Sequence, residues 1–163
     1  MADFQPIYDM AAKRKGGKDV LESLLPGPGD HGDLKSQTDD RVLSLMTKCI
    51  FRAGFVWRVI EQKWDGFEEA FLGFDPAALL FQPEEFWDDL GRDTRIVRNH
   101  AKILAVRDNA AFVVEISKEN GSFAKFLDAW PNDDLVGLWA FLGKRGKRLG
   151  GMTGRYFVRF IGK

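Results

Sequence analysis

Three residue types are scarce in this 163-residue chain: one cysteine, Cys49, two histidines, His31 and His100, and two tyrosines. A single thiol excludes an internal disulfide. One cysteine and two histidines do not supply a closed Cys/His zinc site, so no metal and no cofactor is expected. Long apolar runs are also missing, and no segment approaches a membrane span. The opening residues MADFQPIYDM lack the basic-then-apolar layout of a secretory signal. A cytoplasmic protein without membrane association is the expectation. Alternating strand patterns and two-residue hairpin turns are absent as well, which argues against a sheet.

The most informative absence is of acids at one end. From Leu135 to Lys163 there are seven basic residues and no Asp or Glu, although the whole chain has 24 of each sign. Residues 1–134 therefore carry 17 basic and 24 acidic side chains. A neutral chain with its surplus positive charge gathered at one end is built to present that end to an anion.

What is present is a core. Apolar residues make up 45% of the chain, with fourteen Phe and five Trp, which suits one folded domain over residues 1–163. Nearly every segment reads as helix. One helix is expected over Gln5–Lys15, ending at Gly16-Gly17, and a short one around Asp19–Leu25. LPGPGDHGD, residues 25–33, is a loop. Thr38, with Asp39 and Asp40, starts a helix that reaches Ala53-Gly54. A pattern of Val56, Trp57, Val59, Ile60 and Trp64 continues beyond it. Asp75-Pro76 and Pro83-Glu84-Glu85 mark two further starts. The longest helix is expected from about Val97 to Glu119, and Ser122 and Asn132 can cap two more. The fold class is all-α, a compact bundle of eight to ten helices.

The charged end has a defined layout. A helix is expected to stop near Leu142-Gly143. Lys144, Arg145, Lys147 and Arg148 follow, then Leu149-Gly150-Gly151-Met152-Thr153-Gly154, then a helix carrying Arg155, Tyr156 and Phe157. This is a helix–glycine hairpin–helix over residues 144–155. Glycine lets backbone approach a ligand closely. With Thr153 as a cap, the second helix would direct free N–H groups at a phosphate. The flanking cations would add charge without reading sequence. An ordinary basic corner between two helices would carry the same residues.

Four stretches resemble known proteins. L149-G150-G151-M152-T153 is similar to the L-x-G-x-G-x-x-T-A segment of helix-hairpin-helix DNA repair glycosylases. KCIFRAGFVW (48–57) resembles the E-x-x-Q-A-G-L-S-W segment of the DNA-3-methyladenine glycosylase I family. RIVRNHAKI (95–103) resembles that family's G-I-I-R-N-x-x-K-I segment. KRGKRLGGMTGRYFVRFIG (144–162) resembles its K-x-R-G-F-K-F-V-G-P-T-x-x-Y-x-F-M segment. The last three come in the family's order and extend the resemblance from about Thr38 to the C-terminus.

The resemblance implies an all-α glycosylase that flips 3-methyladenine out of duplex DNA and hydrolyses its N-glycosidic bond, with residues 1–37 as N-terminal helices and loop. It implies an alkylated double-stranded DNA partner, and a monomer is expected. Trp57 falls on the family's pocket tryptophan, which a core residue in the pattern of Ile60 and Trp64 would equally explain. Arg98 and Asn99 match its R-N pair, as DNA contacts or as a helix cap. Gly150, Gly151 and Thr153 fall on the hairpin, with Lys144, Arg145, Lys147, Arg148 and Arg155 as DNA-binding cations. Cys49 takes the place of the base-reading glutamate. A thiol is a weak hydrogen-bond partner and offers no charge to a cationic base. Tyr8 is the nearest counterpart of the family's Y-H-D-x-E-W-G tyrosine and a candidate pocket wall. The family's zinc ligands have no counterpart here, and no catalytic residue can be assigned. The wider superfamily's catalytic aspartate follows the hairpin at a distance that would lie past Lys163, so a shortened chain is expected. Lys48 as a Schiff-base lysine is a minor alternative. Two readings stay open: a base-excision glycosylase, and a non-catalytic DNA-binding module of the same fold. A third, protein interaction, rests on exposed-looking aromatics between Asp65 and Trp87.

Overall fold

The computed structural model describes residues 4–24 and 33–163 and divides into two compact units, Met1–Asp30 and His31–Lys163. Most of the expected 25–33 loop, His31 included, lies outside the described residues. Among the described residues there are eleven α-helices, two 3-10 turns and no strand, so the fold is all-α.

The first unit pairs α1 (Gln5–Lys15) with α2 (Lys18–Leu24). Gly16 closes α1 in the left-handed region, at φ 93°. Tyr8 donates its hydroxyl to a Glu22 carboxylate oxygen across this pair. That bond, with the surrounding acids, raises the Tyr8 pKa above the ordinary tyrosine value.

The second unit contains a 3-10 turn at Leu34–Ser36, then α3 (Asp39–Arg52), α4 (Trp57–Gln62) and α5 (Trp64–Ala70). A 3-10 turn at Leu72–Phe74 leads to α6 (Pro76–Leu80), α7 (Glu84–Leu90) and α8 (His100–Asn120). α9 (Phe123–Ala129), α10 (Leu135–Arg145) and α11 (Gly151–Ile161) complete it. α3 lies at the centre and packs against both α8 and α11. Its buried residues Val42, Leu43, Met46, Cys49 and Ile50 recur at helical spacing and form one apolar stripe.

Side-chain caps fix several boundaries. Asp75 accepts from the Ala77 and Ala78 N–H groups at the start of α6, and Ser122 caps α9. Asn99 caps α8 by accepting from the Lys102 N–H at 3.1 Å, so the long helix starts at His100 rather than near Val97. Asp134, not Asn132, caps α10, because its carboxylate accepts from the Gly137 N–H. The pattern through Val56–Trp64 is two helices rather than one. It breaks at Lys63, whose φ of −97° and ψ of 0° leave helical geometry, and whose ammonium donates to the Thr94 carbonyl. Such breaks give eleven helices among the described residues, against the eight to ten expected.

The aromatics between Asp65 and Trp87 are mostly interior. Phe67, Phe71, Phe74 and Trp87 are buried, and Trp64 stacks on both Phe67 and Phe74, with ring centroids 5.0 and 5.5 Å apart. Phe81 is the fully exposed aromatic of that stretch. The expectation of an exposed aromatic interaction surface there is therefore corrected. Closely spaced large apolar residues in short helices cover one another, and sequence alone does not show it.

Candidate functional site

The glycine hairpin is held by its backbone. α10 continues to Arg145, so Lys144 and Arg145 lie in its last turn rather than in the loop, where cations complement the helix dipole. The tip spans residues 146–150. Asn109, fully buried on α8, grips it from below: its amide donates to the Lys147 carbonyl at 3.0 Å and accepts from the Lys147 N–H at 2.7 Å. Both backbone polar groups of one tip residue are thus satisfied by one buried side chain, which fixes the position of the tip. Arg148 sits at φ 58°, a left-handed conformation unusual for a non-glycine residue, and is held there by this anchorage and by buried Leu149.

The glycines divide by role. At Gly154 a Cβ would overlap the Leu149 carbonyl oxygen, and at Gly146 it would meet the Leu142 carbonyl oxygen at 2.9 Å. These two permit the hairpin to close on itself. Gly150 and Gly151 face open space, with nothing within 4 Å of an added Cβ, and Gly151 needs its φ of 60° to start α11. The N-cap of α11 is Gly150, which has no side chain to cap with. Thr153 lies inside the first turn, not at the cap, because the chain enters the helix at Gly151. Its half-buried side chain instead lines two adjoining cavities.

The first cavity, of about 290 Å³, lies between the C-terminal end of α3, the start of α4 and α11. Cys49, Arg52, Trp57, Tyr156 and Phe160 form its walls, with Met152 and Thr153 on the hairpin side. Trp57 is 41% exposed, so it is not a core residue. Its ring meets Tyr156 edge-on at 5.2 Å, and Tyr156 stacks on Phe160 at 5.8 Å. A cavity of this size and aromatic content suits one flat heterocycle. The second cavity, of about 320 Å³, is lined by Ile50, Ala53, Lys102, Arg148, Gly150 and Thr153. Among the described residues its lining has two cations and no acid. Lys102 donates to the Phe51 and Ala53 carbonyls, closing the C-terminus of α3. Burial, and then Arg148 nearby, lower its pKa.

The electrostatics of the first cavity centre on Arg52. Its guanidinium lies 4.8 Å from the Trp57 ring centroid and 5.8 Å from that of Phe160, a cation–π arrangement. A terminal nitrogen pairs with Glu61, while its Nε is buried with no hydrogen-bond partner. Glu61 also pairs with Lys48 at 3.4 Å. Among the described residues, no carboxylate lines the cavity. Burial pushes the Cys49 thiol up to about 12, with Arg52 and Lys48 opposing. It is therefore neutral at ordinary pH and unsuited to be a nucleophile. Lys48 is not on the cavity wall. Its ammonium lies 4.7 Å from the Trp64 ring centroid, and burial lowers its pKa.

Of the residues expected at a site, the structure brings Cys49, Trp57 and Thr153 to one cavity and Arg148, Gly150 and Thr153 to the other. Arg145 pairs with Glu115 at 2.8 Å, and Arg155 covers the Trp139 ring at 4.9 Å. Lys144 and Lys147 are exposed. Tyr8 belongs to the first unit and is engaged with Glu22. Arg98 stands beside the Asn99 cap and lines neither cavity. Sequence reasoning did not single out Arg52, Lys102, Asn109, Tyr156 or Phe160. Asn109 had a signal, an amide within the apolar face of α8 beside Val106, Ala110 and Val113. Arg52 had one too, three residues beyond Cys49 on the same helix face. Among the described residues no cluster of three or more His, Cys, Asp or Glu is placed to hold a metal. No helix among them is long and apolar enough to cross a membrane.

An aromatic cavity set against a basic glycine hairpin, on an all-α scaffold, defines a helical bundle of the helix-hairpin-helix DNA glycosylase type. Residues 33–137 match the family model described as methyladenine glycosylase, and the chain belongs to that family. The fold is similar to the crystal structure of a glutamate-to-glutamine mutant of 3-methyladenine DNA glycosylase I from Staphylococcus aureus. The TM-score is 0.68 and the identity 26%, over 77% of each chain. A tyrosine-to-phenylalanine form of 3-methyladenine DNA glycosylase I in complex with 3-methyladenine has the same score and identity. That match covers 77% of this chain and 80% of the other.

Proposed function

We propose that this chain is a base-excision DNA glycosylase that hydrolyses the N-glycosidic bond of an alkylated purine flipped out of duplex DNA. The carrying observation is that Thr153 is shared by the aromatic cavity and the cationic cavity of the hairpin. A base stacked among Trp57, Tyr156 and Phe160 would thus have its phosphate within reach of Arg148, Lys102 and the first N–H groups of α11. Lys144 and Lys147 would add sequence-independent affinity that falls with salt. In this reading the duplex binds a monomer in the cytoplasm. No wall residue of the aromatic cavity is an evident general base. Catalysis then rests on extracting the base and stabilising charge as it departs.

The specific observation favouring a second reading, a damage-recognition module without catalysis, is that the cavity has a neutral Cys49 and, among the described residues, no carboxylate; by the motif resemblance Cys49 takes the place of the base-reading glutamate. The deciding experiment is release of free methylated purines from alkylated duplex DNA, measured beside duplex binding at several salt concentrations. Base release supports the glycosylase. Salt-dependent binding without release supports the module, and the absence of both release and binding refutes both.

A further inference from the structure

We infer that the aromatic cavity selects an uncharged alkylated purine with hydrogen-bond acceptors on its edge, such as an etheno adduct, over a cationic N-methylpurine. This rests on the reading of that cavity as the base pocket. The carrying juxtaposition is Arg52 on the cavity wall, stacked over Trp57 and Phe160, with no carboxylate lining the same space among the described residues.

Charge and hydrogen-bonding capacity on the cavity wall disfavour a cation. A cationic base gains from aromatic faces and from a nearby carboxylate. Here the face of Trp57 already has a cation on it, and the neighbouring Glu61 is shared between two cations, Arg52 and Lys48. A second positive charge in this space meets like-charge repulsion in a partly desolvated site. The hydroxyls of Thr153 and Tyr156 can donate or accept. Together these groups match a neutral heterocycle whose ring nitrogens or carbonyl accept hydrogen bonds.

The same guanidinium suits the bond-breaking step for such a base. The C1′–N9 bond breaks with its electron pair going to the purine, which develops negative charge as the sugar becomes oxocarbenium-like. Water adds its oxygen to C1′, and a water proton neutralises the released purine. Arg52 would stabilise the charge on the departing base. A cationic N-methylpurine leaves as a neutral molecule and gains nothing from that contact.

The test uses duplexes carrying one 1,N6-ethenoadenine, and alkylated duplexes carrying 3-methyladenine, with wild type, Arg52→Gln and Arg52→Lys. Relative to uncatalysed release of each base, wild type is expected to accelerate release of ethenoadenine at least about tenfold more than that of 3-methyladenine, a factor equivalent to about 1.4 kcal/mol. Arg52→Gln should abolish that preference, and Arg52→Lys, which keeps the charge, should retain part of it. A larger acceleration of 3-methyladenine release by wild type, each base measured against its uncatalysed rate, or an unchanged ratio in well-folded Arg52→Gln, overturns the inference. Binding of free bases, followed by tryptophan fluorescence with Trp57→Phe as the control, separates this from a failure of the glycosylase reading. If no base is released from either duplex, tighter binding of free ethenoadenine than of a permanently cationic dimethyladeninium ion supports the pocket assignment. Tighter binding of the cation overturns it.

Discussion

The hairpin and the aromatic cavity share α11 but are built by different means. The hairpin is fixed through its backbone: Asn109 holds the Lys147 peptide, and Gly154 lies against the Leu149 carbonyl. Its charged side chains stay outward. The cavity is shaped mainly by side chains, with Arg52, Trp57, Tyr156 and Phe160 ordering one another by ring and charge contacts. A site held by backbone should lose its place when one anchor goes, whereas a site held by side chains should change its ligand before it loses its fold. That suits the two tasks, since a phosphate contact needs fixed N–H groups and a base contact needs an adjustable wall.

The largest effect expected is at Gly154. Gly154→Val would drive a branched side chain into the Leu149 carbonyl and should cost at least about 3 kcal/mol in chemical denaturation. A midpoint close to wild type would show that the hairpin is not closed there. Next is Asn109→Ala, which strands the N–H and C=O of Lys147 in a part-buried place and should cost about 2–3 kcal/mol. It should also weaken duplex binding. If stability falls while affinity is unchanged, the anchor does not serve the DNA contact.

Gly151→Val should cost less, about 1–2 kcal/mol, because the strain is its positive φ alone and no atom lies nearby. Duplex affinity should drop by more than the stability change explains, with helix content intact by circular dichroism. Equal affinity would remove the proposed close approach of backbone to phosphate. The double variant Lys144→Ala, Lys147→Ala should alter stability by less than about 0.5 kcal/mol, since both side chains are exposed. It should lower the salt dependence of binding by roughly two phosphate contacts, similarly on all sequences. A slope equal to that of wild type would place the DNA elsewhere.

At neutral pH the smallest effect belongs to Cys49. The folded state holds its thiol proton up to about 12, against an ordinary cysteine value of 9.0. Above pH 9 the unfolded chain loses that proton first, so the group's contribution to stability is complete below pH 9 and declines as pH rises towards 12. Urea midpoints between pH 7 and 10.5 should show a decline that is smaller in Cys49→Ala. Parallel declines in the two proteins would show that the thiol is not desolvated.

Local signals in the chain foretold much of this. The all-α class, α3 and most of α8, and the glycine break near residue 150 follow from apolar spacing, capping residues and breakers, which act over a few positions. Asn99 illustrates the limit. The R-N resemblance leaves it a DNA contact or a cap, and apolar spacing predicts the helix from about Val97; the cap bond to the Lys102 N–H, which is not visible in sequence, sets the start at His100. Thr153 shows the same in reverse: a residue suited to capping was displaced into the helix because Gly151 tolerates the entry conformation.

By itself the sequence determined that this chain is helical, that its acids and bases are segregated, and that a cationic glycine turn lies near its end. These depend on composition and short-range periodicity. Only the tertiary structure decided that Arg52 covers Trp57, that Asn109 reaches the Lys147 peptide, and that Cys49 shares a cavity with Phe160. The reason is physical: these contacts join α3, α4, α8 and α11, and side-chain direction across packed helices depends on how each helix is rotated in the core. Spacing along one helix says which residues share a face, but not which face of which partner they meet.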